Sequence, residues 1–218
     1  TQAFYTERQL SPVKIVVTGG GRVAQGAVDV LKDMGAHQVD PKTFLSIETN
    51  RAIFTQLDCA DYATRIDGSA FDLQDFFQHP EKYKSTFAPY TAAADIFING
   101  IYWDPAAPKF FTPEDMKTDG WNIEVIADVT CDIAPESSVP STLRPSTIPD
   151  PVYGYDPETG KEIKPFTGTG VDVMAVDNLP NELPRDASTA FGEQFLNHIA
   201  DELMKPQSDI LDRAPIAQ

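Results

Sequence analysis

The stretch Lys14-Ile15-Val16-Val17-Thr18-Gly19-Gly20-Gly21-Arg22-Val23-Ala24-Gln25-Gly26-Ala27 limits what this chain can fold into more than any other. Its first five residues, mostly apolar and β-branched, predict a short buried strand. The three glycines then allow a tight turn. Val23, Ala27, Leu31 and Met34 recur at helical spacing, so the turn opens an amphipathic helix, which Gly35 caps at its far end. Strand, glycine turn and helix in that order point bare N–H groups and the positive end of the helix dipole at one spot, which suits a pyrophosphate. Gly19-x-Gly21-x-x-Ala24 fits the dinucleotide fingerprint G-x-G-x-x-A. The first glycine makes the turn, the second lets phosphate approach, and the small third residue lets helix and strand pack closely. The plainer alternative is a glycine-rich connection that binds no nucleotide.

In such a fold an acid at the end of the second strand holds the ribose hydroxyls. Asp40 has the usual spacing, but Asp40-Pro41 predicts a turn. Thr43-Phe44-Leu45-Ser46-Ile47 is the better strand, and it ends at Glu48. Glu48 is therefore preferred over Asp40, and an acid here favours NAD over NADP by repelling a 2′-phosphate. Either residue could equally be a solvated surface acid.

The 218 residues carry a formal net charge of −16, which argues against nucleic acid and anionic membrane surfaces as partners. No apolar run is long enough to span a bilayer, and the start shows no signal-peptide pattern. Two separated cysteines, Cys59 and Cys131, suit a reducing, cytoplasmic setting, and no Cys/His cluster has metal-binding spacing.

Further along, Ile53–Leu57 is an extra strand or extended loop, and 60–69 is polar and loop-like. Residues 71–77 predict a helix with Phe76 and Phe77 in the core. Asp95–Gly100 is a buried strand running into Tyr102 and Trp103, aromatics that either anchor the loop or touch ligand. Thr112-Pro113 starts a short helix. Ile123–Val129 is the next strand, and Asp128 and Asp132 at its end either bind a cationic group or a ribose, or cap turns. Residues 133–170 form a long arm containing a hairpin over 151–161. Val171–Val176 is the last strand, and a helix from about Asp186 carries a stripe of Phe191, Phe195, Ile199 and Leu203. The whole predicts an α/β domain over 1–204: a doubly wound, mostly parallel sheet of Rossmann type with helices on both faces. A tail over 205–218 has apolar residues left to bury.

Four ordered blocks carry a family resemblance: Thr18 to Ala27, Ile96-Phe-Ile-Asn-Gly-Ile-Tyr-Trp103, Ile126-Ala-Asp-Val-Thr-Cys-Asp132, and Val176-Asp-Asn-Leu-Pro-Asn-Glu-Leu-Pro-Arg-Asp-Ala-Ser188. Together they resemble the lysine-forming saccharopine dehydrogenases and the lysine–2-oxoglutarate reductase half of aminoadipic semialdehyde synthases, within the alanine dehydrogenase superfamily. The resemblance implies reversible joining of lysine and 2-oxoglutarate to saccharopine, by hydride transfer between a nicotinamide cofactor and an imine carbon. By motif position it implies that Gly19, Gly21 and Arg22 face the cofactor phosphates and Glu48 the ribose. Tyr102, Val129, Val176, Asp177, Asn178 and Leu179 would line the cofactor site, and Thr130, Cys131 and Asp132 would approach substrate. A cysteine pair found in one branch falls on Val23 and Gly100, so that disulfide is excluded. NADP use in the reductase branch keeps the cofactor choice open.

The family's lysine, histidine and arginines for proton transfer and carboxylate binding belong to an amino-terminal domain that nothing here matches. No catalytic residue is therefore assigned in this chain. It is expected to be the cofactor-binding half of a longer, soluble enzyme, its tail packed on the other half, with self-association a further expectation. An alanine or opine dehydrogenase, or a non-catalytic nucleotide-binding module, are the alternatives.

Overall fold

A computed structural model describes residues 12–213. The elements of its first compact unit, in chain order, begin with β1 Lys14–Thr18, α1 Arg22–Asp33, β2 His37–Gln38, α2 Pro41–Ser46 and β3 Ile53–Leu57. They continue with α3 Cys59–Tyr62, β4 Ala63–Arg65, α4 Leu73–Gln78, β5 Tyr83–Ser85, α5 Ala88–Ala93, β6 Ile96–Asn99 and β7 Val125–Asp128. A hairpin of β8 Val152–Asp156 and β9 Lys161–Ile163 follows, and β10 Val171–Met174 ends the set. The main sheet runs β2-β3-β1-β6-β7-β10-β8-β9. Its first six strands are parallel, and the hairpin adds two antiparallel ones. The Rossmann-type expectation holds, and the chain reverses its direction of travel across the sheet at β1 and β6, where such sheets bind ligands.

Alternation along β1 and β3 sends side chains to both faces. Ile15, Val17 and Phe54 pack with Ala24, Val28 and Leu31 of α1. Val16, Ile53 and Leu57 join Phe44 of α2 and Tyr90 of α5 in the larger cluster. The buried stripe of α1 is thus Ala24–Val28–Leu31, one step round from the predicted one, and Val23 is 55% exposed. Gly35 follows the helix at φ +89°, as its capping role requires.

Three local expectations change. The strand expected over Thr43–Ile47 is helix α2: Asp40 Oδ1 accepts from the N–H groups of Lys42 and Thr43, and Pro41 occupies the first helical position. An Asp-Pro pair is a helix start as readily as a turn, and here the start wins. Ile53–Leu57, read as an extra strand or extended loop, is a strand and a central one, the direct parallel neighbour of β1 over five residue pairs. The stretch expected as loop holds α3 and β4, the latter pairing antiparallel with β5.

The chain divides between Asp177 and Asn178 into two compact units. The second contains a 3-10 turn, Leu179–Glu182, the helix α6, Pro184–Phe195, a π-helical turn Leu196–Ala200, and the short helices α7, Asp201–Leu203, and α8, Asp209–Asp212. Phe191 and Phe195 stack at 6.3 Å but remain exposed, so the predicted apolar stripe is not buried within this unit. The lead-in over 1–11 and the end of the tail, 214–218, lie outside the described residues.

Candidate functional site

The site grows from the turn after β1. Gly19 sits at φ +110°, its N–H donates to the Leu57 carbonyl at 3.0 Å, and a Cβ there would stand 2.6 Å from the Gly100 carbonyl oxygen. Only glycine fits both the angle and the approach. Gln56 Nε2 donates to the Gly19 carbonyl at 2.8 Å, fixing the turn from β3. Gly21 is the N-cap of α1 at an ordinary φ of −85°, and no side chain caps the helix there. A Cβ on Gly21 would meet nothing within 4 Å. The helix therefore opens on clear space with its first N–H groups uncapped and Arg22 beside them, an anion-receiving arrangement. Ala24 closes the fingerprint, since a Cβ on Gly100 would lie 3.3 Å from its backbone.

The carboxylate that faces this turn is Asp58. It follows β3, the strand beside β1, and a Cβ on Gly20 would come within 2.8 Å of its Oδ1. Glu48 is not brought to the turn. It follows Ile47, whose carbonyl accepts from Lys14 Nζ at the opposite end of β1. Asp40 is spent on capping α2. Sequence reasoning missed Asp58 because β2 and α2 lengthen the run between the fingerprint and the strand that pairs with β1. The signal was there in an apolar strand ending in an acid, Ile53–Asp58.

At the ends of β1, β6 and β7, Thr18, Asn99 and Asp128 stand in register and fully buried. Thr18 Oγ1 donates to Asn99 Oδ1 at 3.0 Å, and Asn99 Nδ2 donates to Asp128 Oδ1 at 2.8 Å and to Ser138 Oγ at 3.0 Å. Thr142 Oγ1 donates to Asp128 Oδ2 at 2.6 Å, and the Cys131 N–H donates to Asp128 Oδ1 at 3.3 Å. Asp128 is thus a pin holding the 131–142 loop on the strand ends, not a ligand group. Burial pushes its carboxyl above the usual range, against the pull of the Thr142 and Asn99 donors. The folded chain then holds this proton more tightly than the unfolded chain. The carboxyl's share of stability is fullest at acid pH and declines as pH rises from the ordinary carboxylate range through the raised value. Asp128→Asn lacks this titration, so its Tm should gain on the wild type as pH climbs through that window. Asp128→Ala, which strands Asn99 and Thr142, should cost about 2–3 kcal/mol. Thermal melts across a pH series check both, and a pH-independent gap between Asn variant and wild type would contradict the first.

The remaining strand-end residues divide by what they already hold. Thr130 Oγ1 donates to the Ile101 carbonyl at 2.9 Å. Cys131, at φ 54°, donates its thiol to the Ala175 carbonyl at 3.1 Å, and burial with Asp128, Asp177 and Asp132 nearby pushes that thiol up to about 11. Val129 N–H bonds the Asn99 carbonyl. Val176 is buried and bridges Ser146, whereas Asp132 and Asp177 are exposed. Tyr102 is 98% exposed. Asn178 and Leu179 open the second unit. Arg22 apart, no His, Lys or Arg directly follows the ends of β1, β3, β6, β7 or β10.

A cleft of about 510 Å³ lies against the turn, walled by Cys59 and Tyr62 of α3, by Phe76 and Phe77 of α4, and by the loop from Gly100 to Pro108. Phe76 is core, as predicted. Phe77 is not, being 61% exposed on the cleft. No helix among the described residues is long and apolar enough to cross a membrane.

No protein-family model matches the chain. It is 25% identical to the mouse protein named alpha-aminoadipic semialdehyde synthase, mitochondrial, over 94% of its own length and 24% of the mouse protein's. It is 28% identical to the Arabidopsis thaliana alpha-aminoadipic semialdehyde synthase over 84% of its length and 19% of that protein's. It is 27% identical to the Emericella nidulans saccharopine dehydrogenase [NAD(+), L-lysine-forming] over 89% of its length and 42% of that protein's. The relatives are aminoadipic semialdehyde synthases and saccharopine dehydrogenases. The resemblance drawn from the four motif blocks is thereby borne out. The chain spans less than half the length of each of these relatives, and only about a quarter of the mouse protein.

Proposed function

We propose that this chain is the nicotinamide-dinucleotide-binding part of an oxidoreductase acting on a CH–NH bond, one that interconverts saccharopine with lysine and 2-oxoglutarate. The observation that carries the reading is the uncapped start of α1 behind Gly19–Gly21, faced across the turn by the Asp58 carboxylate. The uncapped N–H groups and Arg22 suit a pyrophosphate, and Asp58 suits a ribose diol while repelling a 2′-phosphate, so NAD is favoured over NADP. Bound there, the nicotinamide supplies or takes the hydride. Tyr102, Val129, Val176 and Asp177 are assigned to the cofactor site by their motif positions. Thr130 and Cys131 shape the loop on which Asp132 is carried. Asp132 and Asp177 give this edge a negative potential that suits a substrate ammonium group.

Proton transfer and carboxylate binding call for cations that these strand ends do not carry. They are assigned to a further domain, consistent with relatives several times longer. The chain alone should therefore bind nucleotide and turn over negligibly. Calorimetric titration with NAD, NADH, NADP and NADPH tests the reading. Binding of NAD(H) in clear preference to NADP(H) is expected. A folded chain that binds none of the four would overturn it.

A further inference from the structure

Gln56 is out of character with its strand. β3 is a parallel strand packed on both faces, the setting that selects apolar residues, and the neighbours Thr55 and Leu57 are fully buried. A half-buried amide in such a strand is kept for what it bonds. Gln56 stands opposite Val17 of β1, and its side chain reaches one atom of the glycine turn, the Gly19 carbonyl oxygen, at 2.8 Å. A carbonyl can only accept, so the amide nitrogen is the atom that faces it. The Gly19 N–H is held too, by the Leu57 carbonyl at 3.0 Å. Both backbone polar groups of Gly19 are therefore tied to β3.

The peptide that carries the Gly19 carbonyl also carries the Gly20 N–H. Among the described residues the one cis peptide is Ala134–Pro135, so the Gly19–Gly20 peptide is trans and its N–H points opposite to its carbonyl. Drawing the carbonyl toward Gln56 thus turns the Gly20 N–H away from Gln56. That N–H has no partner among the described residues. Without the tether this peptide lies between two glycines, where backbone rotation meets the least steric resistance. A half-turn of it would present an oxygen where the N–H now stands.

Resting on the nucleotide-binding reading above, the geometry points to Gln56 as a positioning residue, whose side-chain amide sets the face of the Gly19–Gly20 peptide so that a donor and not an oxygen meets the pyrophosphate. Gln56 acts through Gly20 and not by contact with the ligand. The Gly20 N–H joins the uncapped N–H groups at the start of α1, and the anion gains one more charge-assisted hydrogen bond.

The test titrates the 218-residue chain with NAD and ADP-ribose, using the wild type, Gln56→Met and Gln56→Glu, from about pH 8 down to about pH 5. Met matches the length of Gln and cannot donate. Glu matches its shape, cannot donate when ionised and can when protonated. Gln56→Met is expected to weaken both ligands by about tenfold or more at every pH, the scale of one hydrogen bond to a charged group. Gln56→Glu should be at least as weak at the alkaline end and regain most of the wild-type affinity as pH falls, because burial beside a carbonyl raises its carboxyl into the range tested. Arg22, Asp58 and Asp40, the charged groups at the ends of the elements bordering Gln56, are common to all three proteins, so the ratio to wild type removes their titration. Melting curves at each pH check that the variants are folded. Wild-type affinity in Gln56→Met overturns the proposal and leaves charge alone to explain a loss in Gln56→Glu. Affinity of a folded Gln56→Glu that stays low to the acid end also overturns it, since the side chain then serves packing only. In both cases the wild type still binds nucleotide, so the parent reading stands. If wild type binds neither of these ligands nor NADH, both fall.

Discussion

Gly21→Val should abolish dinucleotide binding, by about 100-fold or roughly 2.7 kcal/mol, while the chain stays folded. A Cβ at Gly21 meets nothing within 4 Å and the backbone there is at φ −85°, so the fold accepts a side chain. The cost is only that of a poor N-cap, ~0.5–1 kcal/mol, or about 1–4 °C in Tm for a chain of this size. The space the valine fills is the space in front of the uncapped N–H groups, where a pyrophosphate must come. Gly19→Ala is the opposite case. Its φ of +110° and the Gly100 carbonyl 2.6 Å from the new Cβ strain the folded chain itself. We expect about 3 kcal/mol of lost stability and a Tm lower by roughly 6–12 °C. Binding assays and thermal melts on the two variants separate a glycine kept for ligand from one kept for fold. Intact binding in a folded Gly21→Val would remove the turn from the site.

The fold was largely legible because its signals are local. The Lys14–Thr18 strand, the Asp95–Gly100 strand and the turn between Gly19 and Gly21 each declare themselves in a few residues. The arm was legible too: the hairpin read from Pro151 to Lys161 forms, and it joins the main sheet beside β10. What failed was the order of strands. Thr43–Ile47 and Ile53–Leu57 are both short apolar runs, and only long-range pairing decides that the second lies beside β1 while the first is a helix. The acid at a strand end depends on which strand lies beside β1, so it is Asp58, after Leu57, and not Glu48 that stands across from Gly20. Phe76 and Phe77 show the same limit at a single side chain. Adjacent helical positions point about 100° apart, and which one meets the core depends on where Phe71 and Tyr83 sit. The polar row Thr18–Asn99–Asp128 is spread over 110 residues and becomes a unit only through strand register.

Asp58→Ala should weaken NADH by about 10–100-fold, the worth of charge-assisted hydrogen bonds to a diol. The same change removes a negative charge that opposes a 2′-phosphate, so NADPH should gain where NADH loses, and the ratio of the two affinities should fall by roughly 100-fold or more. Asp58 is also the N-cap of α3, in a capping box with Asp61, so stability should fall by ~1 kcal/mol while the chain stays folded. Three controls separate this from general damage. Asp61→Ala removes the carboxylate that accepts from the Asp58 N–H at 2.9 Å, and so disturbs the start of α3 without touching the charge at the turn. Asp40→Ala removes the cap of α2 and should lower stability by ~1 kcal/mol with no change in nucleotide preference. Glu48→Ala lies at the other end of the strands and should change neither. Only a carboxylate at the turn can set the ratio, so a shift in Glu48→Ala with none in Asp58→Ala would return the ribose to the helix-flanking acid and reject the strand-end assignment.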